Sequence, residues 1–179
     1  AKEQGVETVV HLGALLDAVP HSRKVRLTGT STGTDMSDLM EESSIRSSNY
    51  QGPTGISSAV LEACTKQEMG YASLWGHTSH YLQAAPNYRV SYTLTQTLAK
   101  FLNLPLDLEE LRSAADLFDE EVAKAIAEDE QISSYVSKLE TQYDEASPAA
   151  EIPDPSEMVK DLEQFLRTQQ RRRPGDPQP

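Results

Sequence analysis

Cysteine occurs once in this chain of 179 residues, at Cys64, so no disulfide can form within it. That excludes the stapled small folds of oxidising compartments and fits a reducing, cytoplasmic setting. Aromatic side chains are also few, with one Trp, seven Tyr and three Phe. No apolar run approaches the ~20 residues of a membrane-spanning helix, which argues against membrane insertion. The first ten residues carry Lys2, Glu3 and Glu7 and lack the apolar stretch of a signal peptide. Positive charge is in deficit: 16 Lys and Arg stand against 28 Asp and Glu, for a formal net charge of −12. Such a surface repels phosphate backbones, so nucleic acid is not an expected partner. The one basic cluster, Arg171-Arg172-Arg173, lies beside a Pro-rich terminus and reads as a solvated tail.

What remains is an α/β rhythm. Residues 6–12 (VETVVHL) favour a buried strand, and a strand this apolar normally has neighbours on both sides. With only Ala1 to Gly5 before it, earlier strands of the domain are expected to be missing. Gly13 to Pro20 reads as a loop or short helical turn. Residues 24–28 (KVRLT) alternate as a half-buried strand should. Asp35 to Tyr50 is polar and serine-heavy, the composition of a surface loop with one helical turn at Asp38 to Glu42. Gly52-Pro53-Thr54-Gly55 then leads into a helix with Ile56, Val60, Leu61 and Cys64 on one face. Cys64 is expected to be a buried structural thiol. Gly70 reads as that helix's C-terminal stop, followed by a strand over Tyr71 to Trp75 and a loop over 76–88. Tyr88 to Phe101 is predicted as an amphipathic helix.

After Pro105 the character changes. Leu108, Leu111, Ala115, Phe118, Val122 and Ile126 recur at helical steps, as do Ile132, Tyr135, Val136, Leu139 and Tyr143. The division expected is an α/β part over 1–105, a helical hairpin over 106–145 and a Pro-rich linker over 146–155. An amphipathic helix is expected over 156–173 and a disordered tail over 174–179.

Candidate chemistry is sparse. All four histidines, His11, His21, His77 and His80, fall within the first 80 residues. His77-x-x-His80 has no second Cys or clear carboxylate pair to complete a zinc site, so no metal is expected. The glycines at Gly29 and Gly33 fit neither a Walker motif nor the dinucleotide fingerprint, and Ser57-Ser58 lacks a hydrolase elbow. The helix entered through Gly52 and Gly55 could offer N–H groups to an anion. His21-Ser22-Arg23 is the most suggestive cluster, because Arg suits carboxylates and phosphates. Its plainer reading is a strand-end loop locked by an internal ion pair. No catalytic constellation and no cofactor are expected.

Four ordered blocks carry a family resemblance: VVHLGALLDAVPHSRKVRLT, GPTGISSAVLEA, GYASLWGHTSHYL and LAKFLNLPLDLEEL. Together, over roughly residues 5 to 145, they resemble the proteasome assembly chaperone 2 family, especially its actinobacterial members. Family members tend to read Val-Pro-His-Thr-Arg-Pro where this chain has VPHSRK at Val19 to Lys24. They favour His-Val-Pro-His-Tyr where it has HTSHY at His77 to Tyr81. The resemblance implies a three-layer α/β/α sandwich of nucleoside-phosphorylase-like shape whose first strands would precede residue 6. A C-terminal helical hairpin and a further helix extend it here. It also implies a role in protein assembly, since eukaryotic relatives help assemble the proteasome α-ring. Proteasome-docking partners often end in a hydrophobic residue, a tyrosine and one more. This chain ends Pro177-Gln178-Pro179, so docking by that route is not expected.

The leading expectation is therefore a non-enzymatic, chaperone-like assembly or scaffold protein that self-associates as a homo-oligomer and binds other proteins. The alternative is a small-molecule enzyme or sensor for a nucleoside or phosphorylated ligand. Its ligand-binding residues would be His21, Arg23, Gly52, Gly55, His77 and His80, gathered where loops converge at strand ends.

Overall fold

Ten consecutive residues of the first strand pair in parallel with ten of the third, and that ladder organises the fold. The structure, a computed structural model, describes residues 1–47, 55–82 and 86–145. The chain divides into two units, Ala1–Glu145 and Ala146–Pro179. Only the first is among the described residues, so the expected linker over 146–155, helix over 156–173 and tail over 174–179 lie outside them, as does Gly52. The described elements are β1 (Thr8–Asp17), β2 (Leu27–Ser31), α1 (Thr34–Glu42), α2 (Ile56–Lys66), β3 (Gly70–Ser79), α3 (Tyr88–Phe101), α4 (Glu109–Ala127) and α5 (Glu130–Glu145). A short 3-10 turn over Lys2–Gln4 precedes β1. The sheet order is β1-β3-β2. β1 runs parallel to β3 from Thr8 opposite Gly70 to Asp17 opposite Ser79. β2 runs antiparallel to β3, from Leu27 opposite Gly76 to Ser31 opposite Ala72. The protein is thus α/β, with a small mixed sheet and, among the described residues, five α-helices.

Several expectations about the strands need correction. β1 runs on to Asp17, through residues expected to loop. The apolar string at Gly13 to Leu16 lacks clean alternation, but parallel pairing with β3 overrides that local weakness. Gly13 matters here, because a Cβ at that position would meet the Trp75 ring at 2.4 Å. β3 likewise continues through His77 to Ser79, where a loop was expected. Gly76 lets α3 pack close against it, since a Cβ there would lie 2.5 Å from Val90 Cγ1. β2 begins at Leu27 rather than residue 24. The stretch expected as a loop from Asp35 forms helix α1, with Met36, Leu39 and Met40 packed on or into the core. Three apolar side chains at helical steps outweigh its serines.

Strand alternation sends successive side chains of β3 to opposite faces. Ala72 and Leu74 face a cluster of Met40, Ile45, Val90, Leu94 and Phe101, contributed by α1, its following turn and α3. Leu74 is fully enclosed, at 0% exposure. Burying such a side chain contributes about 1.5–3 kcal/mol. Tyr71 points to the other face, beside α2, where Cys64 is buried as expected.

The helix ends share one device. α1, α2 and α3 each close with a left-handed residue that is not glycine: Ser44 (φ 57), Glu68 (φ 55) and Asn103 (φ 49). The next amide reaches back into the last turn in each case, as Ile45 N–H does to Met40 O at 2.8 Å and Met69 N–H to Cys64 O at 2.9 Å. This is the paired bonding of a Schellman closure. Glu68 therefore stops α2, and Gly70 is the first residue of β3. At the opposite end of α3, Asn87 Oδ1 accepts from Val90 N–H at 3.0 Å, an N-cap.

Candidate functional site

The carboxyl ends of β1 and β3 lie side by side because the two strands are parallel. Open α/β sheets present such ends as the common place for ligands. Here Asp17 closes β1, His77 and Ser79 close β3, and the connection from Ala18 to Arg26 crosses above them. α5 lies over this connection.

Asp17 is the hub. Its Oδ2 accepts from His77 Nδ1 at 2.6 Å and sits 3.7 Å from Arg26 Nη1, while its Oδ1 accepts from Ala18 N–H at 2.7 Å. Burial pushes the Asp17 carboxyl upward, but the bond and charge of His77, the Ala18 amide and Arg26 outweigh it, leaving it below its ordinary value of 3.8. The other nitrogen of His77, Nε2, lies 3.1 Å from Thr28 Oγ1. Carboxylate, imidazole and hydroxyl thus stand in line, one from each strand. Thr28 and His77 are 3% and 5% exposed, so this line ties the sheet together rather than facing a solvent cleft.

His80 turns the other way. Both its backbone N–H and its Nδ1 reach the Asp17 carbonyl at 3.1 Å. A carbonyl only accepts, so Nδ1 carries the proton, and in the neutral ring Nε2 accepts from the Tyr135 hydroxyl at 3.0 Å. His21 bonds Tyr81 twice: its amide donates to the phenol oxygen at 2.8 Å, and its Nδ1 lies 2.8 Å from the same oxygen. Burial holds the His21 ring below its ordinary value, against the charges of Asp119 and Glu140 that pull it up. Burial also raises the Tyr81 and Tyr135 phenols, so both stay protonated near neutral pH.

Arg23 is claimed by α5. Its Nε and Nη2 donate to the two carboxylate oxygens of Asp144 at 2.9 and 2.7 Å, and Nη1 lies 3.3 Å from Glu140 Oε1. Ser22 Oγ also donates to Glu140. Tyr143 OH donates to the Lys24 carbonyl at 3.4 Å, and the Arg26 guanidinium lies 4.9 Å from the Tyr143 ring centre. The ion-paired loop weighed for Arg23 in the sequence is the arrangement found.

Of the residues singled out beforehand, His21, Arg23, His77 and His80 gather here. Gly55 instead starts α2, its carbonyl accepting from Ser58 and Ala59 N–H at 3.1 and 3.4 Å. His77 and His80 both meet Asp17, one at its carboxylate and the other at its backbone carbonyl, but their Nε2 atoms go to different partners, Thr28 and Tyr135. Among the described residues, no group of three or more His, Cys, Asp or Glu could hold a metal ion. Asp17, Thr28, Tyr135, Glu140 and Asp144 escaped the sequence reading. The only local signal was an acid ending an apolar strand, since the partners of Arg23 lie more than a hundred positions away.

Fold and cluster together define an α/β protein whose strand ends are closed by α5, the last helix among the described residues. The PAC2 family profile matches residues 1–126, and the chain belongs to that family, the one its sequence blocks resemble. Among solved structures it is similar to a PAC2 family protein from Streptomyces avermitilis, at 33% identity and a TM-score of 0.65, over 76% of this chain and 56% of that one. It is similar to a proteasome-assembly chaperone homologue from Mycobacterium tuberculosis, at 29% identity and a TM-score of 0.64, over 75% and 56%. A Corynebacterium glutamicum protein of unknown function shares the fold, at 24% identity and a TM-score of 0.70, over 80% and 52%. The chain therefore spans about half the length of these relatives. No curated protein matches it. No helix among the described residues is long and apolar enough to cross a membrane.

Proposed function

We propose that this chain is a cytoplasmic, chaperone-like module that self-associates and binds other proteins, without turning over a substrate. The observation that carries this reading is the row of side chains on β1. Val10, Leu12, Ala14 and Leu16 share one face of the strand; Val10 packs on the core, while Leu12 and Leu16 are 39% and 62% exposed. Among the described residues β1 pairs on one side only, with β3. A long apolar edge strand is a template for another protein segment. The proteasome-assembly chaperone homologue among the similar structures points the same way. A fuller three-layer sandwich of nucleoside-phosphorylase-like shape belongs to this reading. So does a working division at Pro105, between the sheet-bearing residues 1–105 and the helices of 106–145. Size analysis by light scattering on the 179-residue protein tests the proposal. A discrete oligomer weakened by Leu16→Asp is expected; a monomer at every concentration would sink it.

The second reading, a nucleoside or phosphate sensor, rests on the gathering of His21, Arg23, His77 and His80 at the strand ends. Thermal shifts with inorganic phosphate and adenosine test it. A shift abolished by Arg23→Ala and His80→Ala would favour it, and no shift with either probe would remove it.

A further inference from the structure

We propose that α5 is exchangeable, and that two copies of this chain associate by each seating its α5 in the groove that the other copy's α5 fills in the closed form. This rests on the self-association just proposed and adds to the β1 row a second, separate contact between copies.

The groove and helix fit through a spaced set of contacts. Tyr135 meets His80, Glu140 meets Ser22 and Arg23, Tyr143 meets Lys24 O and Arg26, and Asp144 grips Arg23 with both oxygens. Between them Val136 and Leu139 are buried. Any substitute helix must bring an aromatic hydroxyl, two carboxylates four positions apart and two apolar side chains in the same register. A second copy of α5 brings all of them unchanged. Exchange therefore preserves every one of these contacts, and the closed and exchanged forms differ only at the hinge and in the cost of association.

The hinge is narrow. Glu128, which ends α4, already has helical torsions (φ −78, ψ −15). Asp129 N–H still reaches the Ile126 carbonyl at 3.2 Å. The break is held by the Asp129 side chain, whose Oδ1 caps α5 by accepting from Gln131 and Ile132 N–H at 2.9 and 3.1 Å. Asp129 alone separates the α4 C-cap Glu128 from Glu130 of α5, so the proposed opening is a rearrangement at this residue that joins α4 and α5 into one helix. The 16 residues of α5 then project away from their own groove by about 24 Å, within reach of another molecule.

Complementary charge reversal tests the exchange directly. One variant carries Arg23→Asp; the other carries Glu140→Gln and Asp144→Arg. Each alone opposes like charges across its latch. In a mixture, only α5 exchange between the two variants pairs unlike charges in both grooves. All substitutions combined in one chain restore the pair internally and serve as the folding control. Native mass spectrometry of an equimolar mixture is expected to show a heterodimer-to-homodimer ratio roughly fivefold above that of random pairing, and Asp129→Ala in the wild-type background is expected to raise the dimer fraction. Heterodimers at the random proportion would overturn the exchange while leaving self-association standing. A wild-type protein that is monomeric throughout, with no heterodimer in the mixture, would overturn both.

Discussion

At the scale of single residues, Asp17 has the most to lose. Its carboxylate gathers His77, Arg26 and the Ala18 amide, and these partners hold its pKa below 3.8 in the folded protein. A depressed carboxylate contributes stability that is present above its unfolded value and lost as pH falls through the folded value. Asp17→Asn is expected to cost about 1–3 kcal/mol near neutral pH, because it weakens the bond to a buried imidazole. Urea unfolding at a series of pH values checks this: the gap between wild type and variant should close below about pH 4. A gap that stays constant with pH would mean that packing, and not charge, sets the cost. Gly13 offers a steric counterpart. Gly13→Ala would place a methyl group 2.4 Å from the Trp75 ring, and overpacking of that kind costs about 1–3 kcal/mol. Trp75 is the single tryptophan, so its fluorescence reports both the displaced ring and the lowered unfolding midpoint.

At the scale of elements, the helix ends and α5 behave differently. Glu68 closes α2 with φ 55, a conformation in which its Cβ is strained. Glu68→Gly relieves that strain at the cost of a looser unfolded chain, for a net gain of about 0.5–1 kcal/mol. Chemical denaturation should show a higher midpoint; a lower one would show that the Glu68 side chain contributes more than its backbone costs. α5 is anchored by few apolar groups, chiefly Val136 and Leu139. Leu139 is 4% exposed, and Leu139→Ala is expected to cost about 2–4 kcal/mol of α5 docking. Hydrogen exchange locates the effect: amides of 130–145 should lose protection while those of β3 keep theirs. Loss across the whole chain would instead make α5 part of one cooperative unit.

The whole molecule carries a formal net charge of −12. Two copies repel each other, and ~0.15 M salt screens that repulsion beyond about 8 Å. The latch between Arg23 and Asp144 is present in closed and exchanged forms alike, so salt acts on it equally in both. Self-association should therefore strengthen as salt rises from about 0.05 to 0.5 M, read by sedimentation equilibrium. Weakening with salt would point to an interface held by intermolecular charge pairs.

Local pattern determined much of this protein. The apolar steps of Tyr88–Phe101, Glu109–Ala127 and Glu130–Glu145 specify amphipathic helices wherever they pack, and the ordered blocks around Val19-Pro20-His21 and His77 to Tyr81 carry the family. A helical face repeats within four residues, so neighbouring positions suffice to reveal it. Strand lengths were decided elsewhere: Gly13 to Asp17 and Gly76 to Ser79 are extended because they pair with each other across the sheet. The cluster at the strand ends was likewise set by the tertiary structure. His77 lies 60 positions from Asp17, and Asp144 lies 121 from Arg23. No periodicity links residues so far apart; parallel pairing of β1 with β3 and the turn at Asp129 bring them within a hydrogen bond.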